Sequence, residues 1–183
     1  SKVKGEKIII KEKIKNFFVN CLRMGTLYGP SPRMRFDLAL NTMVGSAIQE
    51  KKIIIHGGDQ WRPFLHVDDA ADAFIKLIKN ENKKLNGQIY NVGANSENVQ
   101  IKDLAYIVKS LVPKSKIKFS KNFDNRSYKA NFDKIKDHLG WEATKKIKDG
   151  ALSVIKLFKT GKIKNFRDDN YFNIKRLISY LNI

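Results

Sequence analysis

Arg62 lies in the stretch QWRPFLHVDDAADAF, between a Trp and a Pro and just ahead of His66 and the paired Asp68 and Asp69. A guanidinium held after a turn presents a planar fork of donors that can meet a phosphate two bonds at a time. An ion pair with Asp59 or Asp68 is the alternative for the same residue. Arg126 is a second fixed positive charge in a chain that otherwise prefers Lys, so retention of Arg points to a geometric demand. Two arginines around one diphosphate make a sensible pair. His66 beside two aspartates raises the question of a metal, but a metal needs several ligands to converge. The three His are far apart, the single Cys21 is not nearby, and no metal site is expected.

Thr26, Leu27 and Tyr28 open the Gly- and Pro-broken segment GTLYGPSPRM, directly after an apolar run. In open α/β sheets, ligands bind beyond the carboxyl ends of strands, which makes these three candidate ligand contacts. A rigid turn without a ligand is the other reading. Neither a Gly-rich nucleotide loop nor a nucleophile elbow is present.

The elements that would position these residues alternate between helix and strand. Val3, Ile10 and Ile14 mark a helix over 3–14. NFFVNCLRM is apolar on both faces and reads as a buried strand. From Phe36, the residues Leu40, Met43, Val44 and Ala47 recur at helical spacing. KIIIHGG is a short strand. A helix begins at Val67, with Asp68 or Asp69 as its cap. GQIYNVG is a strand, 101–111 a helix, and SKIKFS an alternating strand. NRSYKANFDKIKDHLGW bends into a short helix stopped at Gly140. Ile147, Ala151, Val154, Ile155 and Phe158 mark another helix, and 171–181 a last one. This is an α/β pattern. Only 17–24 and 87–92 read as central parallel strands. Two such strands need further neighbours, expected upstream in a longer polypeptide or on another chain.

The 183 residues suit one domain or two small lobes, and eleven Phe and six Tyr argue against a disordered chain. Thirty-six basic against eighteen acidic residues give a formal net charge of +18. The lysines come in small groups beside apolar stretches, as on the solvated faces of ordinary elements, so nucleic-acid binding is a weaker alternative. One lone Cys leans cytoplasmic. The chain opens on Ser in a helical pattern, an abrupt start that implies a missing upstream part.

Five ordered pieces, SKVKGE, LRMGTLYGPSPRMRFDL, QWRPFLHVDDAADAF, YNVG and NRSYKANFDKIKDHLGW, together resemble the extended short-chain dehydrogenase/reductase family, in its nucleotide-sugar epimerase/dehydratase branch. The resemblance spans roughly 1–150 and matches the family's C-terminal portion. It implies the closing part of an NAD-binding Rossmann-type sheet, at 1–32 and 57–93. It also implies a small substrate-binding lobe at 33–56 and 94–143, followed by C-terminal helices at 144–183. NAD is the implied cofactor and a nucleotide sugar the implied substrate, with a homodimer as a possible assembly. Lys2 matches the lysine of the family's Tyr-x-x-x-Lys motif, whose tyrosine would fall just before Ser1. By the same resemblance Lys2, Thr26, Leu27 and Tyr28 face the cofactor. Arg62 and Arg126 contact the diphosphate, and Asn41 lines the pocket. The sequence lacks the family's Gly-rich fingerprint, so these residues alone are expected to be inactive. A remnant without catalysis, or a subunit that depends on a partner, is the alternative.

Overall fold

The structure, a computed structural model, describes residues 2–11, 17–80, 82–120 and 126–181. In chain order the elements are α1 (Lys2–Lys11), β1 (Cys21–Met24), β2 (Thr26–Tyr28), α2 (Ala39–Gln49), β3 (Lys52–His56), β4 (Trp61–His66), α3 (Val67–Ile78), β5 (Ile89–Val92), β6 (Asn98–Gln100), α4 (Ile101–Leu111), β7 (Lys116–Ser120), α5 (Asp133–Leu139), α6 (Ile147–Lys159) and α7 (Asn173–Leu181). The end of the helix expected over 3–14 and the first residue of NFFVNCLRM lie outside the described residues. No helix among those described is long and apolar enough to cross a membrane.

The two stretches read as central parallel strands pair with each other. β1 runs parallel to β5 with Cys21 opposite Ile89 and Met24 opposite Val92. The strand is shorter than its apolar run, because Val19 N–H goes to the Asn86 side chain (2.9 Å) rather than to a ladder. Two further parallel pairs went unread in the sequence: β2 with β4, Thr26 opposite Phe64, and β3 with β7, Lys52 opposite Lys116. β4 also pairs antiparallel with β6. Pro63 lies inside β4, opposite Asn98 at one end of that three-residue ladder. A proline without an N–H is tolerated at such a margin.

Two apolar cores form around these strands. One gathers Phe36, Leu40 and Val44 with Ile53 and Ile55, Leu104 and Val108, and Ala151 and Val154, so α2, β3, α4 and α6 share it. Phe36 sits at its centre, edge-on to Phe158, Phe166 and Tyr171 at 5.3–5.8 Å between ring centroids. The other gathers Leu65, Ala70 and Ala73 with Tyr90 and Val92, Ile135, Leu139 and Trp141, so α3, β5 and α5 share it. Gly140 ends α5 in the left-handed conformation (φ 57°), as its position predicts. α1 and α7 bury no residues. Glu6 on α1 takes both Arg23 Nε (2.8 Å) and Nη2 (2.6 Å) from β1.

The start of α3 differs from expectation. Neither Asp68 nor Asp69 is the cap. His66 is: its Nδ1 accepts from Asp68 N–H at 3.1 Å. Asp69 points the other way and is buried, accepting from Thr144 N–H (3.1 Å), Thr144 Oγ1 (3.0 Å) and Lys145 N–H (2.9 Å). One turn on, Asp72 accepts from Trp141 Nε1 (3.0 Å). Two acids on one face of α3 thus hold the segment that leads into α6.

Candidate functional site

Between α2, β3 and β4 lies a cleft of about 670 Å³. Its walls are mixed. Met43, Ile54, Phe64 and Ile101 give apolar surface, while Thr26, Thr42, Ser46 and Gln60 give neutral polar groups. Arg62, Arg126 and Arg167 all line it. Apolar walls with a few convergent polar groups are the common make-up of a small-molecule site.

Arg62 and Arg126, 64 positions apart, meet here. β4 carries Arg62, and its Nη1 donates to the carbonyls of Trp61 (2.8 Å) and Arg126. Its guanidinium carbon lies 5.5 Å from the centre of the Tyr128 ring. Tyr128 N–H in turn donates to Trp61 O (3.1 Å), and Ser127 Oγ accepts from Trp61 N–H (3.0 Å). The segment from 126 to 128 is therefore stitched to the start of β4, and Arg126 is carried to the cleft with it. Of the acids named as alternative partners of Arg62, Asp59 pairs with Lys102 (2.6 Å), and Asp68 lies at the start of α3, where its N–H donates to His66.

The other sequence candidates divide. Thr26 lines the cleft. Tyr28, two residues on, is in the core at 1% exposure, with its hydroxyl donating to Lys145 O (3.3 Å). Burial pushes its phenol far above the ordinary range, helped by the carboxylates of Glu97, Asp69 and Asp149. Leu27, facing the opposite side of β2, packs against the second core. Asn41 is buried and is not among the lining residues. Its Oδ1 accepts from Gly29 N–H (3.3 Å) and its Nδ2 donates to Arg35 O (3.0 Å). It fastens the loop after β2 to the start of α2, a second-order contribution to the cleft's shape. Lys2 is exposed at the start of α1 and does not line this cleft.

Sequence reading missed Arg167 and Glu50. Arg167 Nε donates to Glu50 Oε1, and this hydrogen bond holds the Glu50 carboxyl below the usual carboxylate range. The two lie 117 positions apart, and Arg167 sits in a polar stretch without periodicity, so no local signal joins them. His66 is 4% exposed. Burial lowers its pKa, against the opposing pull of Asp68 and Asp69. A neutral ring used as a helix cap is a structural group, not a base in the cleft.

A sequence profile described as the NAD dependent epimerase/dehydratase family matches residues 1–93. A UDP-glucuronate 4-epimerase of Thermodesulfobacterium geofontis is 29% identical over 136 residues, which are 72% of this chain and 40% of that protein. UDP-glucuronic acid decarboxylase 3 of Arabidopsis thaliana is also 29% identical, over 72% of this chain and 38% of its own length. Among solved structures, MoeE5 in complex with UDP-glucuronic acid and NAD superposes with a TM-score of 0.75 at 21% identity, covering 87% of this chain and 54% of that one. The Bacillus cereus UDP-glucuronic acid 4-epimerase, solved with UDP-glucuronic acid and NAD, gives 0.66 at 24% identity, over 76% and 44%. The chain thus spans about a third to two fifths of the curated relatives and about half of the solved structures it matches. Those structures share its fold, in which it corresponds to part of a Rossmann-type α/β protein. With strands, cleft and profile in agreement, the chain belongs to the NAD dependent epimerase/dehydratase family.

Proposed function

We propose that this chain provides the nucleotide-sugar-binding part of an NAD-dependent epimerase/dehydratase, with Arg62 and Arg126 gripping the diphosphate. The supporting observation is their convergence: two guanidinium-bearing residues from distant parts of the chain line one cleft, and the backbone of one is bonded by the side chain of the other. Two related proteins of known structure hold UDP-glucuronic acid and NAD, so a UDP-sugar is the substrate class of choice.

Thr26 and Lys2 are the residues on this chain that would face NAD. Thr26 suits the role because its strand end opens into the same cleft as Arg62. Lys2 suits it because its side chain is exposed on α1, which Glu6 fastens to β1. Bound NAD would supply the hydride acceptor for oxidation of a sugar hydroxyl. Lys2 would place its ammonium beside a tyrosine phenol and favour the phenolate that takes the hydroxyl proton. The family's tyrosine and Gly-rich loop are not in this sequence, so turnover requires residues beyond these. β1 has β5 as its one partner among the described residues. Phe17, Phe18, Phe74 and Ile78 are exposed, and all but Phe17 line an apolar hollow beside β1. These features favour further α/β elements completing the sheet.

Calorimetric titration of the protein with UDP-glucuronic acid tests the reading. Saturable binding is expected, weakened by Arg62→Ala by about 2–3 kcal/mol, the loss of a charged and partly buried hydrogen-bonding group. Equal affinity in the variant would remove Arg62 from the site. NAD-dependent turnover by these 183 residues alone would overturn the dependence on further residues.

A further inference from the structure

The cleft has an end that Arg62 and Arg126 do not serve. β3 follows α2 after a tight turn through Glu50 and Lys51 and runs back along the helix, so His56 returns toward the start of α2 while Glu50 stays at its carboxyl end. The start of α2 adjoins the loop after β2, through the bond from Gly29 to Asn41. The helix has 11 residues, which is about 16 Å at the usual rise. Glu50 is therefore a helix length away from the loop that follows β2.

Arg167 stands at this far end, and the chain around it is fixed to α2. Gln49 Nε2 donates to Lys164 O (2.7 Å), and its Oε1 accepts from Phe166 N–H (3.0 Å). Phe166 is buried to 1% exposure, and its ring lies so close to Gly45 that a Cβ there would come within 2.7 Å. The Arg167 guanidinium carbon is 4.9 Å from the centre of that ring. Its Nε is engaged by Glu50, while its two terminal nitrogens make no hydrogen bond among the described residues. The Arg167 side chain is more than half exposed, and the residue lines the cleft.

We propose that Arg167 is a specificity residue of this cleft, oriented by Glu50 and donating hydrogen bonds to carbonyl oxygens of a nucleobase. The assignment rests on the nucleotide-sugar reading above. With the diphosphate at Arg62 and Arg126 and the sugar toward Thr26, the nucleoside is the part left for the Glu50 end. A guanidinium has donors and no acceptor. It therefore favours bases with carbonyl oxygens, such as uracil with two, over adenine, which has no carbonyl and sets a donor amine between its ring-nitrogen acceptors. Because Glu50 and Phe166 already order the fork, little further ordering is needed on binding.

The test is calorimetry with UDP, ADP and inorganic pyrophosphate on the protein and on Arg167→Ala, with a thermal melt to show that the fold is kept. UDP should bind about tenfold more weakly to the variant, as for loss of a charged hydrogen bond. The preference for UDP over ADP should shrink by a similar factor, and pyrophosphate affinity should not change. Should Arg167→Ala unfold, Arg167→Lys reads the same ratio, since lysine keeps the charge facing Glu50 and loses the planar fork. An unchanged UDP-to-ADP ratio overturns the assignment, and so does a loss of pyrophosphate binding in step with UDP. Failure of wild-type protein to bind either UDP or pyrophosphate would instead bring down the diphosphate reading, and this one with it.

Discussion

Asp69 reaches 75 positions along the chain to Thr144 and takes both its amide and its hydroxyl. Together with the amide of Lys145, this gives the carboxylate three donors in a buried setting. Removing an acceptor from buried donors costs more than the bond's net worth, because the donors are left without water. Asp69→Ala is therefore expected to destabilise the fold by about 3 kcal/mol, read as a lowered urea midpoint. A loss under about 1 kcal/mol would mean that the segment before α6 is held by packing alone.

His66 makes stability fall with acid in a defined window. Its folded-state pKa lies below the ordinary value, chiefly because burial disfavours the charged ring. Asp68, Asp69 and Asp149 pull the other way, while Lys145 adds to the lowering. The unfolded chain therefore takes up the proton first. The stability of the neutral cap is complete above about pH 6.5 and is lost as pH falls through the folded-state value. His66→Asn keeps a capping oxygen for the Asp68 amide without the titration. Urea midpoints at pH 7.5 and 5.5 should differ more for the wild type than for this variant.

Gly150 lies inside α6, where alanine is ordinarily the better helix former by about 1 kcal/mol. Here a Cβ would come within 2.3 Å of the Tyr28 ring. That ring is fully buried and tied to Lys145 O, so it has no room to retreat. Gly150→Ala is expected to lower stability by about 1–3 kcal/mol, as overpacking does. A higher melting temperature in the variant would show that β2 and α6 can separate.

Arg62→Lys separates charge from shape at the cleft. The lysine keeps a cation but loses the fork that reaches the 126 carbonyl and the flat face over Tyr128. Affinity for UDP-glucuronic acid should drop about tenfold, with little change in melting temperature. Full affinity in the lysine variant would reduce the role of Arg62 to a point charge.

The parts of the fold legible in sequence were those with a local signature. α2, α3, α4 and α6 show helical apolar spacing, and β1 and β5 lie in stretches with apolar residues on both faces. β4 was not legible, because Trp-Arg-Pro-Phe-Leu-His mixes a charge and a proline into a strand whose last four residues are all buried. β2 is three residues long and too short for any periodicity. The same limit governs the site. Arg62 and Arg126 stand out as arginines among lysines, and the five ordered pieces gave them a role. Asp69 reads equally well as a cap or a brace until Thr144 is brought beside it. Glu50 and Arg167 are ordinary surface charges until the fold joins them.

The pairing of β1 with β5 also sets the order in which the chain matures. Val19 finds its Asn86 partner 67 positions later. At synthesis rates of about 5–20 residues per second, β1 leaves the ribosome roughly 3–13 seconds before its partner. During that interval β1 lacks its β5 partner and can meet neighbouring nascent chains instead. Arg23 in mid-strand, already able to pair with Glu6, puts a charge where such contacts would start, a built-in gatekeeper against premature association.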